Sequence, residues 1–351
     1  MENLTVLMNR FPTIDRILAL ALLIFFRKPE KSISVTFVSE GGQKKPFHHD
    51  EIGMTHYRDT GHGSDTERTA EELGILVRPA PEVAWLVQQA NYNNATGHLK
   101  EFPWSFAHLC REVFHLAADD KERGELIHEF AEIGHVALDG WRHERTGSEF
   151  EVQFSDVIER LRKWGNGAIN WHPMSLPGYL LVLWATGASD AEVREAFTLW
   201  VGWFERAKEW RNAGQHDAAC NMRTFARTGK RRICCIQTNH PRAATHLWGF
   251  LEAEGDRSDI VVIERTGADR ELFGRWTILT RGGAQVDLRG LAEALQAFEP
   301  DCWHFDGRQG GGSTPCLLNG SPARLVPETR GLKPSRLSWD ELRHLLIENI
   351  T

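Results

Sequence analysis

The stretch "NLTVLMNRFPTIDRILALALLIFF", Asn3–Phe26, decides how the first part of the chain folds. Its opening is apolar with Thr5 and Val6, the composition of a buried strand. "FPT" at residues 11–13 then breaks the run, because Pro12 has no backbone N–H for a ladder. Thr13 is a plausible N-cap, and a helix is expected from about there to Phe26. The uninterrupted apolar run Ile17–Phe26 falls well short of the roughly 20 residues that span a bilayer. Asp15 and Arg16 precede it, and no small-residue cleavage site follows before "RKPEKS". It therefore reads as a buried helix and not as a signal peptide.

Working outward, "KSISVTFVSE" (Lys31–Glu40) alternates Ile33, Val35 and Phe37 as a second strand. "GGQKKPFHHDEIG" (Gly41–Gly53) reads as a loop, "MTHYRDTG" (Met54–Gly61) as a short strand ending in a turn, and "DTERTAEELGI" (Asp65–Ile75) as a helix. Strand–helix–strand–strand–helix order implies an α/β sheet with parallel pairs. Ligands of such sheets gather at the carboxyl ends of strands, where Asn9 and Asp59 are expected.

From about Pro81 to Trp210 the pattern is mostly helical, with amphipathic runs beginning at Ala80, Phe102, Lys121 and Asp190. Residues 213–230 are polar and read as a linker. A second α/β unit follows. "RRICCIQT" (Arg231–Thr238), "DIVVIERT" (Asp259–Thr266) and "GRWTILTRG" (Gly274–Gly282) read as strands. "RAATHLWGFLEAEG" (Arg242–Gly255) and "DLRGLAEALQAFE" (Asp287–Glu299) read as helices, and "PCLLNG" (Pro315–Gly320) as a short apolar piece. "SWDELRHLLIENI" closes the chain as a helix, Ser338 and Glu341 forming a capping box. The expected fold class is α/β: a parallel-sheet N-terminal domain with a helical extension over 1–212, a linker at 213–230, and a smaller C-terminal α/β domain over 231–351.

Composition narrows the function classes. With 351 residues, 41% hydrophobic and 25% charged, the chain is ordinary globular material for two domains. A formal net charge of −7 gives no basic footprint, which argues against tight nonspecific duplex binding. None of the six cysteines forms a CxxC pair, so a zinc ribbon is disfavoured. Cys234 and Cys235 read as small strand residues, and a reducing, cytoplasmic setting is expected. The thirteen tryptophans are assigned mainly to cores. No G-x-S-x-G elbow, Walker loop or H-E-x-x-H is present, and no G-x-G-x-x-G follows the first strand.

The chemistry-bearing residues concentrate in "HYRDTGHGSDTERTAEELG", His56–Gly74, where Asp59, His62 and Asp65 recur at spacings of three. Two readings stand: a metal-liganding loop, or a polar loop capping a helix. "FHHDE" supplies His48, His49 and Asp50 nearby, as a ligand set or a solvated loop. Glu132, His135, Asp139 and His143 form a helical stripe, as a metal site or a charged face. "WHFDGRQGGGS" carries His304, Arg308 and Gly310–Gly312. Its glycines present N–H groups that can cradle an anion, and Arg308 can clamp a phosphate. A flexible turn would look the same. "RTGKRR" (Arg227–Arg232) is basic but reads as a solvated segment.

The buried strand, the polar break, "DRILALALL", "FVSEGG" and then "DTGHGSD" before a helix together resemble the amino-terminal domain of the DHH phosphoesterase superfamily, closest to a little-characterised metal-dependent hydrolase-like branch. The resemblance covers roughly residues 1–150, and extends to 230–351 only as architecture. It implies two divalent ions, manganese or magnesium, bound by a histidine with aspartates at +4 and +6, a strand-ending aspartate, an Asp-His-His tripeptide and a later aspartate. Carried over, Asp15, Asp59 and Asp65 match. Asn9 and Thr13 stand at the histidine and first aspartate positions, Thr66 and Glu67 at the two histidines, and Asn93 or Asn94 at the later aspartate. Three aspartates suit one hard ion with waters better than two. Asn9 and Asn93 can add carbonyl oxygens, and His48, His49 or His62 can replace the lost imidazoles. The implied function is hydrolysis of a nucleotide or short oligonucleotide phosphoester, with His304, Arg308 and Gly310, Gly311 and Gly312 holding substrate. The alternative is a non-catalytic descendant that binds a phosphorylated ligand or a protein partner. No membrane partner is expected.

Overall fold

The computed structural model describes residues 2–8, 12–27, 31–37, 51–53, 63–100, 102–140, 144–165, 167–220, 223–238, 240, 251, 257–266, 270, 274–281, 284–307, 316–320 and 331–350. The chain divides into two compact units, Met1–Lys208 and Glu209–Thr351.

In the first unit, β1 (Glu2–Met8) lies between β2 (Lys31–Phe37) and β3 (Glu51–Gly53), parallel to both. Leu4 pairs with Ile33, Val6 with Val35 and Ile52. Parallel neighbours need a crossover, and α1 (Ile14–Arg27) supplies the one from β1 to β2. This helix is apolar all round, the pattern of a helix with no solvent face; Ile17 through Leu23 are fully buried. It shares one core with Val6 and Met8 of the strand and with the helices that follow. Those are α2 (Asp65–Glu72), α3 (Pro81–Thr96), α4 (Phe106–Val113), α5 (Asp120–Asp139), α6 (Gly147–Gln153), α7 (Ser155–Trp164), α8 (Leu176–Ala185) and α9 (Asp190–Cys220). A Cβ on Gly134 would stand 2.7 Å from that of Ala21, so the glycine sets how closely α5 approaches α1. Gly97, at φ +77°, ends α3 in the left-handed conformation.

The second unit holds a six-stranded sheet in the order β4-β5-β6-β7-β9-β8. Its strands are β4 (Arg223–Thr228), β5 (Arg231–Gln237), β6 (Ile260–Glu264), β7 (Trp276–Thr280), β8 (Trp303–Asp306) and β9 (Cys316–Asn319). Among the described pairs, only β5 and β6 run parallel; the others are antiparallel. Two further helices, α10 (Arg289–Phe298) and α11 (Trp339–Asn349), contribute Leu291, Leu295, Leu342 and Leu346 to one face with Ile233 and Val262. Cys234, Ile236, Val261 and Ile263 form the other face with Leu251. A sheet covered on both sides explains continuous apolar strands. Cys234 and Cys235 thus face opposite sides of the sheet, as small buried strand residues.

The expected two-part α/β organisation is present. Of residues 213–230, expected as linker, 213–220 are the end of α9, 223–228 form the edge strand β4 and 229–230 a turn, while 221 and 222 lie outside the described residues. β3 occupies 51–53, expected as loop, and Met54–Gly61 lies outside the described residues. Of the helix expected at 242–255, only Leu251 is described, and it is helical. The Ser338–Glu341 capping box is formed. Among the described residues, no helix is long and apolar enough to cross a membrane.

Candidate functional site

The candidate site forms where the crossover from β1 enters α1 and meets the head of α2. Asp15 is in the first turn of α1 and Asp65 is the first residue of α2; both are fully buried. Asp15 Oδ2 accepts the Asp65 N–H at 2.9 Å and a side-chain N–H of Asn94 at 3.1 Å. Its Oδ1 accepts the Thr66 N–H at 3.0 Å and the Thr66 hydroxyl at 2.7 Å. Both carboxylate oxygens are thus engaged by donors, and the single proton of the Thr66 hydroxyl is shared between Oδ1 and the Asp15 carbonyl 2.9 Å away. The head of a helix leaves its first N–H groups unpaired, and Asp15 satisfies two of them from another helix. The remaining cap is local: Ser64 Oγ accepts the Glu67 N–H at 2.9 Å, and Glu67 reaches back to the Gly63 N–H at 2.5 Å. The negative charges also sit favourably at this positive helix end.

Asp65 faces cations. Arg16 Nε is 3.4 Å from its Oδ2, and a terminal nitrogen of Arg68 is 3.0 Å from its Oδ1. The second contact is an ion pair without hydrogen-bond alignment, since Oδ1 has no directed donor. Burial, and after it the neighbouring Asp15 charge, raise the Asp65 carboxyl pKa, while Arg68 and Arg16 pull it down. The cluster therefore gathers two carboxylates and two guanidiniums, balanced in formal charge.

The structure thus brings Asp15 and Asp65 together, with Asn94 as the asparagine that reaches them. Asn93 is itself buried one position away, and its side-chain oxygen has no hydrogen-bond donor among the described residues. Asn9, Asp59, His48, His49 and His62 lie outside the described residues, as do Arg308 and Gly310–Gly312. His304 sits on β8 in the second unit. On α5, His135 pairs with Glu132 at 3.5 Å and Asp139 is exposed; His143 is outside the described residues. Among the described residues, no group of three or more His, Cys, Asp or Glu side chains could hold a metal ion.

The divalent ion implied by the resemblance does not fit the described donors. A hard cation needs open oxygen lone pairs. Asp15 is committed on both oxygens to capping α2, and an ion at Asp65 would compete with Arg16 and Arg68.

A second polar cluster lies along α3 and was missed at the level of sequence. A cavity of about 460 Å³ has Ala84, Val87, Gln88, Gln89, Asn91 and Tyr92 as its described walls. Beside it, Gln89 Oε1 accepts from His98 Nε2 at 3.0 Å and His172 Nε2 at 3.3 Å. His172 Nδ1 accepts the Met174 N–H at 3.1 Å, which fixes its tautomer. Burial first and the neighbouring His98 second lower the His172 pKa to about 4. The available signal was the carboxamide-rich run "QQANYNN" inside a helix (Gln88–Asn94).

Comparisons with known proteins are sparse. No family model matches the chain, and no curated protein does. Among solved structures, the chain is similar to a DHH-domain protein described as a member of a family of ribosomal proteins. The match covers 95% of this chain and 88% of that one, at 11% identity and a TM-score of 0.37. The description names the family that the sequence resembles; a likeness this loose carries no further argument.

Proposed function

We infer that this chain is a non-hydrolytic, phosphoesterase-like protein that binds a phosphorylated ligand without using a divalent ion on its first-unit acids. The ligand class is a nucleotide or short oligonucleotide. The observation that carries this reading is the complete engagement of Asp15. Four donors converge on a carboxylate that the resemblance assigns to a metal. The neutral residues Thr13 and Thr66 support it further, because fewer acids crowd the spot and the repulsion that a metal would offset is smaller. In this reading Asp15 and Asp65 fasten α1 to α2. The phosphoryl group is assigned to Arg308 and the Gly310–Gly312 run, whose residue types suit an anion.

Thermal-shift measurements with nucleotides, in manganese and in EDTA, test it. Stabilisation of equal size in both is expected, with no turnover of a phosphodiester. Manganese-dependent turnover that is abolished by Asp59→Asn would instead establish a metal-dependent phosphoester hydrolase with an altered site.

A further inference from the structure

The helical part of the first unit holds a symmetry that its letters conceal. Residues 102–138 and 172–208 align without a gap, seventy positions apart, yet only 7 of the 37 pairs are identical, so the correspondence rests on geometry. Several identities fall at joints: Pro103 with Pro173, Ser105 with Ser175, Asp120 with Asp190 and Glu122 with Glu192. Each segment enters a helix, α4 or α8, through a Pro-x-Ser turn. Ser105 Oγ accepts the His108 N–H and Ser175 Oγ the Gly178 N–H, both at 3.3 Å. Each segment then enters a longer helix, α5 or α9, whose cap lies fourteen residues after that serine. Asp119 accepts the Glu122 N–H at 2.8 Å, and Ser189 the Glu192 N–H at 3.3 Å. The buried positions of the two longer helices correspond as well: Ile127 with Phe197, Phe130 with Trp200, Ala131 with Val201, and Ala137 with Ala207.

The two segments also meet each other as a twofold pair must. In an isologous contact, residues on the axis touch their own counterparts and contacts off the axis occur twice. Ser105 and Ser175 face each other in an antiparallel bridge. The rings of Phe102 and His172 lie 4.8 Å apart, and those of Phe130 and Trp200 lie 4.9 Å apart at 86°. Off the axis, the Phe106 N–H donates to the Met174 carbonyl at 3.0 Å, and its counterpart, the Leu176 N–H, donates to the Trp104 carbonyl at 2.9 Å. The outer faces differ where their neighbours differ. Gly134 lets α1 come close to α5, whereas its counterpart Phe204 packs edge-on to Trp164 of α7, centroids 6.0 Å apart.

We propose that these segments are two equivalent copies of one helical module, paired through an internal twofold interface as the halves of a homodimer are. The partner that this surface fits is the module's own duplicate. The second copy closes at Lys208, where the first compact unit ends, although α9 continues to Cys220. The inference rests on the helices alone and not on the phosphoryl reading above.

Saturation substitution of both segments in the full chain, read as folded protein surviving proteolysis, provides the test. The substitution-tolerance profiles of the two segments should agree best at an offset of seventy positions. Offsets three or four residues to either side keep the helical phase but lose the correspondence, and agreement there should be poorer. Agreement at one of those offsets that equals or exceeds the agreement at seventy overturns the proposal. A focused pair gives a second readout. Phe130→Leu and Trp200→Leu should lower the melting temperature by similar amounts, and the double variant should lose less than the two together, because each ring has its counterpart as a neighbour. Strictly additive losses would show two independent rings and overturn the shared axis. If either single variant does not fold, the pooled profiles decide.

Discussion

Asp15 is where residue chemistry and fold meet. Its removal would strand the two backbone N–H groups at the head of α2, while the Thr66 hydroxyl and the Asn94 amide keep the carbonyls of residues 15 and 63 as acceptors. Asp15→Ala is expected to cost about 4 kcal/mol in urea unfolding, equally in EDTA and in manganese, because each stranded buried donor costs about 1–3 kcal/mol before relaxation. Thr66→Val removes only the hydroxyl and should cost about 1–2 kcal/mol. His172 gives a pH signature. Its folded pKa is about 4 against an ordinary 6.5, so between those values the unfolded chain binds more protons. Stability from this group is therefore full above pH 6.5 and is lost as pH falls through that window, by at most about 3 kcal/mol. Unfolding at pH 7 and pH 5 should show the slope, and His172→Gln should flatten it. The meeting of Asp15 and Asp65 was legible in the sequence. Their use was not, because two of the four donors that occupy Asp15 are backbone N–H groups, which no residue letter announces. Asn94 instead of Asn93 is a matter of helix phase: adjacent residues on α3 point about 100° apart.

At the scale of elements, long apolar periodicity was the dependable signal. α1 declared itself by being apolar on every side, and β5 and β6 by unbroken apolar runs that need cover on both faces. Short or edge elements did not. β4 is an edge strand with Phe225 and Arg227 exposed, so its letters resemble a polar connection. β8 is four residues long and precedes a glycine-rich run, which masked it. Packing distance was likewise invisible in the letters until helices were placed. Gly134→Ala should force α5 off Ala21 and Leu18 and cost about 1–3 kcal/mol by thermal unfolding, with secondary structure unchanged by circular dichroism.

For the molecule as a whole, the two α/β units follow from chain length and from two separate cores, one built on α1 and one on both faces of the second sheet. If the first-unit acids serve as fastening, a chelator should leave the melting temperature unchanged, since no metal-binding free energy then contributes to folding. A fall in melting temperature on EDTA treatment, reversed by manganese, would contradict that.

The head of α2 also limits which engineered variants this chain can tolerate. Thr66 and Glu67 occupy the places of two imidazoles in the family it resembles, and each now has a mechanical duty. One clasps Asp15; the other closes the turn at Gly63. Grafting histidines at both positions would undo the joint before any ion could reward the change. The double variant Thr66→His, Glu67→His should accordingly unfold at lower temperature whether or not manganese is supplied. Imidazoles at these two positions could serve an ion only if Asp15 were first released from the head of α2, so the joint resists that change one residue at a time.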